Sequence, residues 1–227
     1  MLSTSIVSTE NFFKNAIKNV HISEERKNLL FKISEAIVKE YLKNGVVNLN
    51  FICTHNSRRS QLGQVWGFYT AHYFKLNIHS FSGGTEVTAF HRNTVKTLQK
   101  AGFDFQVADF SHQNPKYLIS FAGSRKTILG FSKRFDHPEN KEPFIAITTC
   151  NNADKNCPFI PTAIERFHLP FVDPKAFDDT PERKEMYLKT NRQIAAEMHF
   201  IFSEVQKQIF LKLLYLCRKE CSLKRDL

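Results

Sequence analysis

An apolar run that ends at a cysteine, followed by a polar loop and an amphipathic stretch, constrains the fold of this chain most. Residues 46–52 are mostly apolar, which is typical of a buried strand, and Cys53 follows them directly. Five residues separate Cys53 from Arg59, and Ser60 opens the amphipathic stretch 60–74, which is typical of a helix. The sequence therefore predicts a strand, a short loop and a helix, with the pattern Cys-x5-Arg-Ser on the loop.

This arrangement predicts a cradle for a tetrahedral oxyanion. Backbone N–H groups of such a loop and the partial positive charge of the helix N-terminus favour a bound anion, and Arg59 can hold two of its oxygens. The same positive surroundings favour the thiolate of Cys53, which is the nucleophilic form of the side chain. The residues expected to bind the oxyanion are Thr54, His55, Asn56, Ser57, Arg58, Arg59 and Ser60.

The order of elements along the chain predicts an α/β fold, with a four-stranded parallel sheet flanked by helices. The expected elements are two helices within residues 9–44, strands at 46–53, 77–82, 144–149 and 166–171, helices at 60–74, 90–101 and 181–206, and a hairpin at 117–135. Ligands of parallel sheets bind at the carboxyl ends of the strands. Cys53, Ser82, Cys150 and Asp173 each follow or end a predicted strand, so we expect them to meet at one edge of the sheet.

Three parts are expected along the chain. Residues 1–45 form an N-terminal helical extension, residues 46–206 form the α/β domain with an insertion at about 111–140, and residues 207–227 form a basic helical tail. Two interpretations of the insertion remain open at this stage. It either lies over the site and restricts the size of the substrate, or it extends the sheet.

Composition excludes several classes of protein. The chain has 227 residues of which 42% are apolar, as expected of a globular protein, and no apolar run approaches the ~18 residues that span a bilayer. Its first residues lack the pattern of a secretory signal, and its 5 cysteines suit free thiols, so cytoplasmic residence without membrane attachment is expected. The net charge of +10 comes from basic residues spread along the chain, which indicates a solvated basic surface and no nucleic-acid partner.

Two further motifs have more than one interpretation on spacing alone. Cys150 and Cys157 lie seven residues apart on a polar stretch, which fits either a redox pair or two unrelated thiols. Zinc sites favour shorter spacings and need further ligands, so no metal is expected. Asp173, directly before Pro174, is either a general acid for a departing oxygen or part of a simple Asp-Pro turn.

Taken in this order, the motifs resemble those of the thioredoxin-coupled arsenate reductases, which share the low-molecular-weight protein tyrosine phosphatase fold (phosphotyrosine protein phosphatase I-like). The resemblance covers about residues 46–205. The matching residues are Phe51-Ile52-Cys53-Thr54-x-Asn56-Ser57-x-Arg59-Ser60-Gln61, Ser82-x-Gly84, Thr149-Cys150-x-x-Ala153-Asp154-x-Asn156-Cys157-Pro158 and Asp173-Pro174. The Cys-x5-Arg-Ser pattern marks the phosphatase fold, whereas Cys-x6-Cys-Pro is the more specific part, because ordinary phosphatases of this fold lack it.

The resemblance implies a reaction and a role for each residue. Cys53 would attack arsenate held by Arg59 and the loop, and Asp173 would protonate the departing oxygen. Cys150 would then attack Cys53, releasing arsenite, and Cys157 would attack Cys150 and move the disulfide to an outer loop. Thioredoxin would reduce that disulfide, so an external reductant is implied and no bound cofactor is.

Specific expectations follow for several positions in the loop and for one position in the helix after it. Ser60 is expected to donate a hydrogen bond to the Cys53 thiolate, and Asn56 to hold the loop by bonds to its backbone. His55 stands where the family usually has glycine, which would strain the loop if that position needs a positive φ. Arg58 stands where cysteine is common and is expected to face solvent. Gln64 replaces a family glutamate that helps bind a monovalent cation, so that site is not expected here.

Two other functions compete with the reductase. The first is hydrolysis of phosphotyrosine or a small phosphate ester, with Cys150 and Cys157 as a redox brake on Cys53. The second is a non-catalytic module that binds an oxyanion, which the unusual His55 and Arg58 would suit. The oligomeric state does not follow from the sequence.

Overall fold

A parallel four-stranded sheet forms the centre of the protein, in a computed structural model that describes residues 8–156 and 159–223. The strands are β1 (Val47–Cys53), β2 (Ile78–Gly84), β3 (Phe103–Asp109), β4 (Lys116–Phe121), β5 (Ile128–Gly130), β6 (Phe144–Thr148) and β7 (Ala163–His168). The helices are α1 (Thr9–Asn19), α2 (Glu24–Asn44), α3 (Arg59–Tyr73), α4 (Arg92–Lys100), α5 (Asn151–Asn156) and α6 (Arg183–Leu223). The central sheet has the order β2-β1-β6-β7 with every neighbouring pair parallel, which confirms the predicted α/β fold.

Helix α3 lies directly against β1, which brings the start of the helix next to the end of the strand. Gly63 makes this close approach possible, because a Cβ atom at that position would lie 2.6 Å from the ring of Phe51 in β1. Strand β1 is buried along nearly its whole length, as its apolar sequence predicts. The loop between β1 and α3 is therefore held between two fixed elements.

The two predicted N-terminal helices are confirmed, and both pack on the α/β unit. Ser8 caps α1 by accepting a hydrogen bond from the Asn11 N–H, and α2 ends at Gly45, which has a positive φ of 69°. The ring of Phe13 in α1 stacks on Trp66 of α3 with a centroid distance of 5.6 Å. The extension thus adds a buried layer over α3 and α6.

The insertion contains more β-structure than the predicted hairpin. Strands β4 and β5 form that hairpin, but β3 pairs with β4 to make a three-stranded antiparallel sheet of order β3-β4-β5. This sheet is separate from the central one, and an isolated bridge between Gly84 and Arg134 links the segment after β5 to the end of β2. The sequence analysis assigns no element to residues 103–109, which form the third strand of this sheet.

The C-terminal half differs from the prediction in three ways. Strand β7 begins and ends three residues earlier than the predicted 166–171, and the short helix α5 replaces a predicted polar loop. Helix α6 continues to Leu223, so the predicted helix 181–206 and the predicted tail helix form one element; residues 224–227 lie outside the described part. None of the helices in the described part is long and apolar enough to span a membrane.

Candidate active site

Cys53 is the last residue of β1, and its side chain is buried at the carboxyl edge of the central sheet. Its Sγ lies 3.0 Å from the Oγ of Ser60, in the first turn of α3. The Asn56 Nδ2 donates to the same Ser60 oxygen at 2.9 Å, which leaves the hydroxyl hydrogen available to the sulfur. The predicted contact between Ser60 and Cys53 is therefore present, and it favours the thiolate of Cys53.

The loop between β1 and α3 has the hydrogen bonding expected of an anion cradle. The carbonyl oxygens of residues 54–58 all accept hydrogen bonds. Their donors are the N–H groups of Glu86, His91 and Leu62 and the side chains of Gln61, Thr85, Thr88 and Ser132. The backbone N–H groups of residues 55–58, in contrast, donate to none of the described residues. Free N–H groups beside the N-terminus of α3 are suited to bind an oxyanion.

Arg59 and Asp173 meet at this loop although they are far apart in sequence. The Arg59 Nη2 donates to the Asp173 Oδ2 at 2.5 Å, and its Nη1 donates to the Phe171 carbonyl oxygen at 3.3 Å. The Arg59 Nε is buried and has no hydrogen-bond partner among the described residues. A buried donor without a partner is costly, so a ligand oxygen at this point would satisfy it. Asp173 opens a 3-10 turn, Pro174–Phe177, by accepting from the Lys175 N–H.

Cys150 lies next to the same loop, directly after β6. Its Sγ is 3.5 Å from the Oγ1 of Thr54, and it accepts a hydrogen bond from the Ala153 N–H at the start of α5. Cys53 and Cys150 are both buried free thiols that belong to one packed cluster. Cys157 lies outside the described residues.

The end of β2 packs closely against the loop between β1 and α3. Gly84 pairs with Cys53 in the parallel register, and a Cβ atom there would lie 2.8 Å from the Thr54 oxygen and 2.9 Å from the Asn56 nitrogen. Only glycine fits such a close approach without displacing the loop. The motif Ser82-x-Gly84 is thus required by the packing of β2 against the loop.

Gln64 occupies the place for which the resemblance gives a cation-binding glutamate. Its Oε1 accepts from the Ser82 hydroxyl at 2.6 Å, and its Nε2 donates to the Leu129 carbonyl oxygen at 3.2 Å. The amide is therefore engaged at both ends. Within residues 8–156 and 159–223, no cluster of three or more His, Cys, Asp or Glu side chains could hold a metal ion.

The segment after β5 braces the loop between β1 and α3, that is, it holds the loop by hydrogen bonds. Neither interpretation of the insertion included this role. The Lys133 N–H donates to the Asn56 Oδ1 at 2.9 Å, and the Ser132 hydroxyl donates to the His55 carbonyl oxygen at 2.9 Å. Gln61, whose Nε2 donates to Phe131 O, adds a third link. These bracing residues were not predicted, because nothing in the local sequence of a polar insertion indicates a contact 77 residues away.

Comparison with known proteins assigns the chain to a family, although no protein-family model matches it. An arsenate reductase of Brevibacillus brevis is 32% identical over 124 residues, which are 55% of this chain and 74% of that protein. The chain belongs to the arsenate reductase family. An arsenate reductase of Shouchella clausii is 28% identical over 144 residues, which are 63% of this chain and 84% of that protein.

A solved structure supports the fold of this arsenate reductase family member. The YwlE arginine phosphatase with a phosphorylated active-site serine superposes with a TM-score of 0.50 and 12% identity, over 71% of this chain and 97% of that chain. The α/β unit is thus the low-molecular-weight phosphatase fold that the resemblance implied. Because these relatives are enzymes, the family member described here is an enzyme as well.

His55 is accommodated in this family member without backbone strain. The positive φ of the loop falls on Asn56, at 45°, and His55 does not have one. Asparagine tolerates this left-handed conformation better than most residues. The His55 side chain is partly exposed, with its Nε2 3.3 Å from the Glu86 Oε2, so the pair lies on the rim of the loop.

The expectation that Arg58 faces solvent is wrong for this family member. Its Nε donates to the Tyr187 hydroxyl at 2.6 Å, and its Nη2 donates to the Asp178 Oδ2 at 2.6 Å. Tyr187 also contacts the Nδ1 of His91 at 3.1 Å. Burial lowers the pKa of His91, and the charge of Arg58 lowers it further, so the ring is held neutral beside the guanidinium. The loop is thereby tied to α6 and α4.

Proposed function

We propose that this enzyme reduces arsenate to arsenite, with Cys53 as the nucleophile and with Cys150 and Cys157 passing the oxidation to thioredoxin. The observation that carries the proposal is the position of the Cys150 sulfur. It lies 3.5 Å from the hydroxyl of Thr54, in the residue next to Cys53, and in the same buried cluster as Cys53. Hydrolysis of a phosphate ester requires no second thiol at this place.

The first step forms a bond between the Cys53 sulfur and arsenic. Arsenate would bind to the free N–H groups of residues 55–58 and to the unpartnered Nε of Arg59. The Cys53 thiolate attacks the arsenic atom, and one As–O bond breaks. Asp173, which Arg59 holds at the loop, supplies the proton with which that oxygen leaves as water.

The second step reduces the arsenic. The Cys150 thiolate attacks the Cys53 sulfur, the As–S bond breaks, and its electron pair stays on arsenic, which leaves as arsenite. Cys157 then attacks the Cys150 sulfur, which restores the Cys53 thiol and leaves a Cys150–Cys157 disulfide. Thioredoxin reduces this disulfide by thiol exchange. The role of Cys157 is carried by the family resemblance.

The test is arsenate-dependent NADPH consumption with thioredoxin and thioredoxin reductase. We expect turnover by the unmodified chain and its loss in Cys53→Ser and Cys150→Ser. Cys157→Ser should permit a single turnover only, because the Cys53–Cys150 disulfide then remains. Cys217→Ser, outside the proposed relay, serves as the matched control and should keep full turnover. Full steady-state turnover by Cys157→Ser would refute the relay.

A second candidate function is hydrolysis of a phosphate monoester by the same Cys53, Arg59 and Asp173. The ion pair between Arg59 and Asp173 favours it, because it places a carboxyl group beside the oxyanion loop without involving a second thiol. The assay is hydrolysis of para-nitrophenyl phosphate by the same proteins. Hydrolysis that Cys150→Ser leaves unchanged, without any arsenate turnover, would establish a phosphatase in place of a reductase.

A further inference from the structure

A cavity of about 600 Å³ lies between the edge strand β2, the second half of α3 and the insertion. Its volume is in the range of small-molecule sites. The cavity is separate from the proposed active site, because none of residues 53–60 lines it. The charged and titratable groups that line it are His72, Lys75, His79, Lys126, Lys133, Glu139 and Lys141. Basic groups therefore outnumber the one acidic group, which favours an anion.

Lys133 is the only one of these lysines that is buried, with 2% of its surface exposed. No carboxylate of the described residues lies within ion-pair distance of its ammonium group, which instead lies 4.8 Å from the centre of the Phe131 ring. Burial lowers the pKa of Lys133 to about 8, although the charge of Glu139 acts in the opposite direction. A buried cation without a counter-ion is unfavourable, so an anion in the cavity would stabilise it.

A second buried polar group lies beside the cavity without a partner. Ser80, on β2, lines the cavity, but its hydroxyl faces α3, where a Cβ atom at Gly67 would lie 2.3 Å from its oxygen, and it makes no hydrogen bond within the described part of the chain. The remaining walls are largely apolar and include Phe68, Leu76, Ile78 and Phe81.

We propose that this cavity binds a small organic anion, an apolar body that carries one carboxylate, sulfonate or phosphate group. The acidic group pairs with the Lys133 ammonium. The apolar body packs against Phe68 and Phe81. The site is additional to the proposed arsenate site and does not depend on it.

The position of Lys133 connects the cavity to the loop of Cys53. While its side chain lines the cavity, its backbone N–H donates to the Asn56 Oδ1 at 2.9 Å. Asn56 donates to the Ser60 Oγ at 2.9 Å, and that oxygen lies 3.0 Å from the Cys53 Sγ. A ligand that fixes Lys133 therefore fixes the segment that braces the loop.

The test is a fluorescence titration of the full chain with the organic anion 8-anilinonaphthalene-1-sulfonate. We expect Lys133→Met to weaken binding about tenfold, since it removes one charged partner of the sulfonate. Lys116→Met is the matched control: the Lys116 ammonium also lies over the Phe131 ring, at 5.6 Å, but it pairs with Asp109 and does not line the cavity. This control should bind the probe as the unmodified chain does. Equal binding by both variants would overturn the proposal.

Three further measurements keep the test decisive if Lys133→Met does not fold. Lys141→Glu changes an exposed group of the cavity and should also weaken binding of the sulfonate. N-phenyl-1-naphthylamine, which has the same rings without the sulfonate, should bind about tenfold more weakly than the sulfonate. Equal binding of the two probes would show an apolar cavity and refute an anion site. Arg59→Met should retain sulfonate binding; its loss there would place the probe in the Cys53 loop and overturn the proposal.

The pH dependence separates Lys133 from the other basic groups of the cavity. In the unmodified chain, sulfonate affinity should fall as the pH rises from 7 to 9, because Lys133 loses its charge near its pKa of about 8. The facing groups, His72, Lys75, His79, Lys126, Glu139 and Lys141, remain in Lys133→Met. Because the group that loses its charge near pH 8 is absent from that variant, its sulfonate affinity should stay level between pH 7 and pH 9. An identical fall in both proteins would contradict the role of Lys133.

Discussion

Arg58 ties the loop of the proposed active site to a distant part of the chain. Its guanidinium donates to the Tyr187 hydroxyl and to the Asp178 carboxylate, and only 12% of its side chain is exposed. Burial acts to raise the pKa of Asp178, but the hydrogen bond from Tyr187 and the charge of Arg58 lower it overall. Arg58 and Asp178 therefore stabilise the charged state of each other, while the hydroxyl of Tyr187 accepts from Arg58 and donates to Asp178.

Replacing Arg58 by methionine should lower the free energy of unfolding by about 3 kcal/mol, because it leaves the carboxylate of Asp178 without its cation. Urea unfolding at pH 7 measures the change. The lowered pKa of Asp178 means that its share of stability is present above the usual value of 3.8 and is lost as the pH falls through its folded value. The difference between the two proteins should therefore shrink in acid.

Lys39→Met is the control for Arg58→Met, since it also removes the cation of an ion pair. Lys39 pairs with Glu165, but 70% of its side chain is exposed. Its loss should cost about 0.5 kcal/mol. Similar losses of unfolding free energy in the two variants would show that the ion pair of Arg58 contributes no more to stability than an exposed ion pair.

The sequence predicted those contacts of the site that lie within a few residues of Cys53. The contact of Ser60 with Cys53 follows from a short local pattern and is present. Asn56 was expected to bond to the backbone of the loop, but its side chain instead donates to the Ser60 hydroxyl and accepts from the Lys133 N–H, 77 residues away. The partners of Arg58 could not be predicted, because they lie 120 and 129 residues further along the chain. A local pattern shows that a guanidinium is near the loop, but not which distant carboxylate reaches it.

At the scale of elements, α1 is bound to the α/β unit through two aromatic side chains, Phe12 and Phe13, which both stack on Trp66. Phe13 is fully buried, and its ring contacts those of Trp66 and Tyr69 in α3 and that of His199 in α6. Phe13→Ala should lower the free energy of unfolding by about 3–5 kcal/mol, the usual range for a buried phenylalanine. Thermal or urea unfolding measures this loss.

Phe31→Ala is the matched control for Phe13→Ala, because Phe31 is 40% exposed on the neighbouring helix α2. Its removal leaves no enclosed cavity, so the loss should stay below about 1 kcal/mol. A loss in Phe13→Ala as small as that of the control would mean that α1 contributes little to the stability of the fold.

Strand β3 is an element that the sequence pattern does not identify. Phe103, Phe105 and Val107 alternate with more polar residues, which is typical of a strand. Only Phe103 is buried, however, so the alternation does not mark a core face of the kind that identified β1 and β6. Its pairing partner β4 lies beyond an irregular connection, and such pairing is a tertiary property.

Helix α5, which directly follows Cys150, is held in place by the side chain of Asp154. The Asp154 Oδ1 accepts from the Arg166 Nη2 at 2.5 Å and from the Thr148 hydroxyl at 2.8 Å. Asp154→Ala should raise the alkylation rate of Cys150 by about tenfold, because a small local unfolding cost controls the exposure of a buried thiol. Mass spectrometry after timed alkylation measures the rate.

Asp109→Ala is the control for Asp154→Ala, since Asp109 pairs with Lys116 on the surface of the insertion. It should leave the alkylation rate of Cys150 unchanged. If Asp154→Ala has no more effect than this control, the opening of α5 is limited by other contacts.

For the whole molecule, half-buried histidines link stability to pH at several separate places. Burial lowers the pKa of His79 at the cavity, of His91 beside the loop network and of His199 between α1 and α3. In each case the histidine has its ordinary pKa of 6.5 in the unfolded chain and a lower pKa in the folded chain. The unfolded chain therefore binds a proton at a pH at which the folded chain does not. The free energy of unfolding should therefore fall as the pH falls from 7 to 5.

His199 offers the clearest test of this acid sensitivity, because its ring lies against Phe13 at 5.6 Å and Phe74 at 5.4 Å and joins three helical segments. His199→Phe keeps an aromatic ring but removes the titrating group, so stability should fall less steeply between pH 7 and pH 5. His112→Phe, at an exposed position, should leave the slope unchanged. Urea unfolding at several pH values measures both slopes. A slope in His199→Phe as steep as in the unmodified chain would mean that other groups, and not this half-buried ring, make the fold sensitive to acid.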